Sequence, residues 1–161
     1  ADILEGQSDI AFLFVGAGAE RDALMAESVR RKQKNVVFVP AQPKERMPDF
    51  WSLCDVALVH LRDSPAFADV LPSKIFEAMA MGRPILLVSP DGEAKDLVAL
   101  REAGRWVPAG NPQILSATVR ELANDGQAQS RFAEAALKAA PLHSREAQAR
   151  QMLAVFDAAR N

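Results

Sequence analysis

Val70-Leu71-Pro72-Ser73-Lys74-Ile75-Phe76-Glu77-Ala78-Met79-Ala80-Met81-Gly82-Arg83-Pro84-Ile85-Leu86-Leu87 reads as a loop, a helix, a tight turn and a buried strand. Pro72 suits the first turn of a helix, where a missing N–H costs nothing. Ile75, Phe76, Met79 and Ala80 recur at helical spacing and predict the buried face. Gly82 is the expected helix stop, and Pro84 blocks continuation. Residues 84–88 then read as a short apolar strand. The start of such a helix offers free backbone N–H groups and the positive end of its dipole. An anion, above all a phosphate, is the natural guest there. Lys74 places positive charge in the first turn, where it opposes the dipole; a bound anion is one explanation, and the plainer reading makes Ser73 a helix cap and Lys74 a solvated charge. Glu77, one turn on, is placed to accept hydrogen bonds from sugar hydroxyls.

Outward from this stretch, strand-like and helix-like segments alternate. Residues 10–15 and 35–39 are continuous apolar runs, expected as strands buried on both faces of a parallel sheet. Between them lies Gly16-Ala17-Gly18 and a helix expected over 19–33, with Ala23, Leu24, Val29 and Met25 as its inner face. A short helix through Met47, Phe50, Trp51 and Leu53 precedes a third strand at 55–60. After the strand at 84–88, a helix is expected from 93 to about 103, stopped by Gly104, then an edge strand at 105–108. Asn111-Pro112 combines a cap with a first-turn proline. Helices are expected over 112–124, 127–139 and 144–159. The alternation predicts an α/β fold, a Rossmann-like doubly wound parallel sheet with right-handed crossovers and extra C-terminal helices. Ligands of such sheets bind at the carboxyl ends of the strands.

The totals narrow the classes. With 161 residues, 49% hydrophobic and 25% charged, the chain is an ordinary globular domain in size and composition. A net charge of −2 carries no nucleic-acid footprint. The single cysteine, Cys54, fits a reducing compartment. No apolar run approaches the ~20 residues of a membrane span. Ala1-Asp2-Ile3-Leu4-Glu5 reads like the tail of a helix, so the chain is expected to be part of a longer protein.

Pro-Ser-Lys-Ile-Phe-Glu-Ala-Met-Ala-Met-Gly-Arg-Pro-Ile, residues 72–85, resembles the nucleotide-sugar segment of glycosyltransferase family 4, enzymes of the GT-B fold. The likeness is closest to bacterial surface-polysaccharide transferases that carry Pro-Ser-Lys here, and it covers about residues 9–156. In that family a Glu-x7-Glu motif precedes an Ala-Met-Ala-x-Gly-x-Pro run. Glu77 matches the second glutamate, which holds the ribose. The first position falls on Asp69, a shorter acid, facing the donor sugar and diphosphate. The resemblance further implies that Ser73, Lys74 and the Gly16–Gly18 turn receive the diphosphate. Leu71 and Pro72 lead into that site, and Pro40, Ala41 and Met47 flank the base. Lys74 and Asp69 are then the residues nearest the chemistry. The implied activity is retaining transfer of a sugar from a nucleotide-diphosphate sugar, expected to be a UDP-sugar, with no cofactor and no bound metal. A glycan or lipid-linked acceptor would be held by an N-terminal domain. That domain, and the family's opening strand, are expected to lie outside residues 1–161. The expected location is cytoplasmic, peripheral at the inner membrane face in the full enzyme.

Each motif has a plainer reading. Gly16-Ala17-Gly18 fails the dinucleotide fingerprint, because Arg21 stands where the third glycine belongs, and no Gly-Lys-Ser/Thr completes a P-loop. Pro40 stands where the family has glycine and brings no N–H donor. Arg62 and His60, at the end of the third strand, are placed toward the crevice. Arg83 reads as a turn residue facing water, and Cys54 as a buried small hydrophobe. No metal-ligand spacing and no nucleophile elbow is present. Ala147, Met152, Leu153, Val155 and Phe156 form a stripe that either packs on its own sheet or, as in GT-B enzymes, crosses to the other domain. In the second case the chain exposes it and self-associates. Two rival functions stand beside the transferase: a GT-B epimerase or phosphorylase, and a flavodoxin-like or receiver-like binding module. A receiver needs acids after the first strand and an aspartate after the third, where this chain has Val15-Gly16 and His60.

Overall fold

A computed structural model describes residues 1–160. The strands are β1 (Phe12–Val15), β2 (Val36–Val39), β3 (Ala57–His60), β4 (Ile85–Ser89) and β5 (Gly104–Pro108). The helices are α1 (Arg21–Arg30), α2 (Met47–Leu53), α3 (Ser73–Ala80), α4 (Glu93–Leu100), α5 (Pro112–Asn124), α6 (Gly126–Ala139) and α7 (Arg145–Ala159). Every strand pair is parallel, with Ala57 beside Ile85 and Val88 beside Val107. The strands form two sheets, β1-β2 and β3-β4-β5.

The core sits around β4, whose five residues are all buried. Side chains alternate across a strand, so Ile85 and Leu87 join Ala57, Val59, Ile75, Ala78, Met79 and Val98 on one face. Leu86 and Val88 join Val107 and Leu122 on the other. Each such fully buried aliphatic side chain contributes roughly 1.5–3 kcal/mol. This double coverage makes the 84–88 run a strand and holds α3 against it. The inner face of α3 is Ile75, Ala78 and Met79, with Phe76 at its margin, while Ala80 is exposed. The apolar stripe is therefore turned slightly from the expected one and centres on Ile75, Ala78 and Met79. Gly82 ends the helix at φ +60, a left-handed residue suited to glycine.

The β1–α1–β2 unit departs from expectation. Neither strand is buried on both faces: Phe14 is 43% exposed and Val37 48%. The expected inner face of α1 is also wrong, since Leu24 is 50% exposed, Val29 78%, and Ser28 is the helix's buried residue. Two strands present too little surface to cover a helix face. The unit is instead laced to the rest through Asp2–Leu4, a 3-10 turn with Leu4 buried. There the Ile3 carbonyl accepts from Arg120 of α5 at 2.8 Å, and the Asp2 carboxylate accepts from Arg31 and Gln33.

Gly104 does not stop α4. The helix ends at Leu100, and Glu102 takes the left-handed conformation at φ +51. Gly104 instead opens β5, where a Cβ would lie 1.8 Å from the Ile85 carbonyl oxygen. Arg83 does not face water either. Its guanidinium donates to the carbonyls of Cys54 at 2.9 Å and Ser52 at 3.4 Å, tying down the C-terminal end of α2. Cys54 is half-buried, and burial pushes its thiol pKa up.

Candidate functional site

The carboxyl ends of parallel strands are where an α/β fold leaves a crevice. The loops at those ends are residues 16–20, 40–43, 61–72 and 90–92, and three of them lead directly into helices. The starts of those three helices differ in charge. The start of α1 carries Glu20 as its cap residue and Asp22 in its first turn. The start of α4 carries Glu93 and Asp96, and the Glu93 amide is already bonded to the Ala68 carbonyl at 2.9 Å. The start of α3 carries no acid in its first turn and no side-chain cap. Among α1–α7, every other helix has a first-turn acid or a capping side chain. A helix start without either leaves its amides and its dipole free for an external anion.

Ser73 and Lys74 are the first two residues of α3 and both are exposed. Pro72 precedes them in extended conformation, and its carbonyl accepts from the Ile75 amide at 3.0 Å. The leading end of the helix is therefore open, not packed under protein. Ser73 does not cap the helix. Its hydroxyl donates to Glu77 Oε1 at 3.2 Å, one turn along. This bond orients the carboxylate while leaving acceptor capacity for another donor. The i,i+4 spacing of Ser73 and Glu77 was the sequence signal for it.

The other predicted residues are less concentrated. Asp69 is exposed in the loop ahead of α3, beside half-buried Val70 and exposed Leu71. Met47 is half-buried at the start of α2. Pro40 and Ala41 are exposed, and the Pro40 carbonyl already accepts from Gln42 at 3.1 Å. Gly16 and Gly18 line a cavity of about 290 Å³ with Phe14, Arg21, Leu24 and Phe38, where the Phe14 and Phe38 rings stack at 5.2 Å. That cavity's lining does not include Ser73, Lys74 or Glu77. Gly16 has space around it and takes φ +141, which suits glycine. His60 and Arg62 are both exposed at the end of β3. The site is thus an open helix start with a held carboxylate, and the mostly apolar hollow is a separate feature of the β1–α1–β2 unit.

Sequence reading missed two connections around it. Gly92 and Glu93 receive the loop that carries Asp69, the Glu93 amide donating to the Ala68 carbonyl at 2.9 Å. His143 also has a partner: its Nε2 accepts from Arg101 Nε at 3.0 Å, and its ring lies 5.3 Å from that of Phe76.

Comparison with known proteins gives the family and the fold. A Bacillus subtilis (strain 168) protein named for teichuronic acid biosynthesis, the glycosyltransferase TuaH, is 32% identical over 78 residues, which is 48% of this chain and 19% of that protein. Three solved structures share the fold. A Staphylococcus aureus TarM variant in complex with Fondaparinux, alpha-GlcNAc-glycerol and UDP aligns at TM-score 0.76 and 14% identity, over 96% of this chain and 30% of that one. Anabaena HepE in complex with UDP aligns at 0.70 and 19%, over 98% and 46%. WaaG, a glycosyltransferase involved in lipopolysaccharide biosynthesis, aligns at 0.67 and 16%, over 83% and 34%. This chain therefore spans less than half the length of each of these relatives. The family model described as glycosyl transferases group 1 matches residues 1–139, and the chain belongs to that family.

Proposed function

We propose that this chain is the donor-binding domain of a family 4 glycosyltransferase that moves a sugar from a UDP-sugar to a glycan or lipid-linked acceptor. The observation that carries the reading is the start of α3: uncapped, free of acids, marked by Lys74, with Glu77 held one turn away by Ser73. The amides of Ser73 and Lys74 and the Lys74 ammonium receive the diphosphate. They stand where negative charge gathers as the sugar leaves, and preorganised donors there lower the barrier. Glu77 takes the ribose hydroxyls, and Asp69 reaches toward the donor sugar. The 16–18 turn, Pro40, Ala41, Met47 and Leu71 border the nucleotide. The UDP in two of the fold neighbours supports the choice of base. The reaction retains anomeric configuration and uses no bound metal or cofactor. A second domain, outside residues 1–161, presents the acceptor. The enzyme works in the cytoplasm, at the inner face of a membrane when its acceptor is lipid-linked.

The test is a titration of the chain with UDP, GDP and ADP, followed by NMR. Tightest binding of UDP, lost in Glu77→Ala, is the expected result. Equal response to all three nucleotides in wild type and Glu77→Ala contradicts the reading.

A further inference from the structure

The loop between β3 and α3 is strapped to the rest of the domain. The Ala68 carbonyl accepts from the Glu93 amide at 2.9 Å, which satisfies the first free N–H of α4. The approach depends on Gly92. A Cβ there would lie 2.2 Å from the Ala68 oxygen and 2.8 Å from its carbonyl carbon, and this neighbour is backbone that cannot rotate away.

The seat is firm. β4 ends in Ser89, 1% exposed, whose carbonyl and hydroxyl both accept from Trp106 Nε1 at 3.2 Å. Lys95 binds both carboxylate oxygens of Asp91 at 2.8 Å and lies 4.7 Å over the Trp106 ring. The 90–92 turn is thus pinned on both sides of Gly92. The strap is itself wound, with the Phe67 amide on the Ser64 carbonyl at 2.9 Å and the Ala68 amide on that of Pro65 at 3.0 Å. Asp69 follows Ala68 directly, and Pro72 and Ser73, at the start of α3, lie four and five residues beyond it.

We propose that Gly92 is a positioning residue for the donor site: its missing side chain and the Glu93 amide together set where Asp69 and the first turn of α3 stand. This rests on the reading of α3 as the diphosphate site. Gly92→Ala drives the strap outward by steric contact. Glu93→Pro removes the anchoring N–H together with the first-turn carboxylate, and sets its ring Cδ against the Ala68 oxygen, at a helix position where proline is well tolerated, so α4 still forms while the strap loses its bond.

UDP titration by NMR tests this on wild type, Gly92→Ala, Glu93→Pro, Glu77→Ala and a core variant, Ile85→Val or Val98→Ala, matched to Gly92→Ala in melting temperature. We expect Gly92→Ala to bind UDP at least tenfold more weakly than the matched core variant, and Glu93→Pro at least threefold more weakly than wild type. The amides of Phe67, Ala68 and Val70 should exchange faster in both, while those of Ile75 and Ala78 keep the core variant's rates. UDP binding lost in Glu77→Ala but kept in Gly92→Ala and Glu93→Pro overturns this inference alone. No UDP binding by the wild type, or full binding by Glu77→Ala, overturns the donor-site reading and this inference with it.

Discussion

At the scale of single residues, Glu77 and Ser73 act as a pair. A carboxylate that accepts ribose hydroxyls contributes about 1.5–3 kcal/mol through hydrogen bonds to a charged group. Glu77→Ala should therefore cost roughly tenfold to a hundredfold in UDP affinity. Ser73→Ala loses an orienting bond worth about 0.5–1.5 kcal/mol, and it should also narrow the preference for UDP over 2′-deoxy-UDP. Unchanged discrimination would show that the hydroxyl orients nothing. Elsewhere, Gly104→Ala should lower stability in urea by roughly 1–3 kcal/mol or more, because its Cβ meets the Ile85 carbonyl. The place of Lys74 and Glu77 in the first two turns of a helix was legible, because helix-start signals are local. Gly104 and Arg83 were not: their partners, the Ile85 carbonyl and the carbonyls of Ser52 and Cys54, are set by tertiary packing.

At the scale of elements, the α3–Gly82–β4 unit followed from its sequence because periodicity, stop signal and apolar run agree. The limits of α5 followed similarly, since the Asn111 side chain accepts from the Ile114 amide at 2.9 Å. The inner face of α1 did not, because burial depends on what lies against a helix as well as on its own pattern. The packing of the Ala140–His143 turn on α3, with His143 bonded to Arg101, makes a further prediction. Burial, and then the Arg101 charge, push the His143 pKa below 6.5. The unfolded chain then binds more protons than the folded one as pH falls below 6.5, so stability drops with falling pH through that window. Above 6.5 the contribution is complete, and below the folded pKa no more is lost. Urea midpoints between pH 8 and pH 5 should show this decline, and His143→Phe should flatten it.

At the scale of the whole molecule, the sheet divides in two and the last helix stands clear of the core. The α/β architecture with parallel strands and C-terminal helices was legible from the alternation of segments. The division was not, since it reflects hydrogen bonds that β1 and β3 do not make to each other. On α7, Met152, Leu153, Val155 and Phe156 are all about 60% exposed or more, so packing on its own sheet does not cover the stripe. Self-association through it should appear in sedimentation as concentration rises, and Leu153→Glu with Phe156→Glu should abolish it. A monomer at every concentration would count against that expectation. The account as a whole turns on where a pyrophosphate sits. Amide chemical shifts recorded during UDP titration locate it: the account predicts the largest changes at Ser73, Lys74 and Glu77, and their disappearance in Glu77→Ala. Changes confined to Phe14, Leu24 and Phe38, with α3 silent, would contradict it.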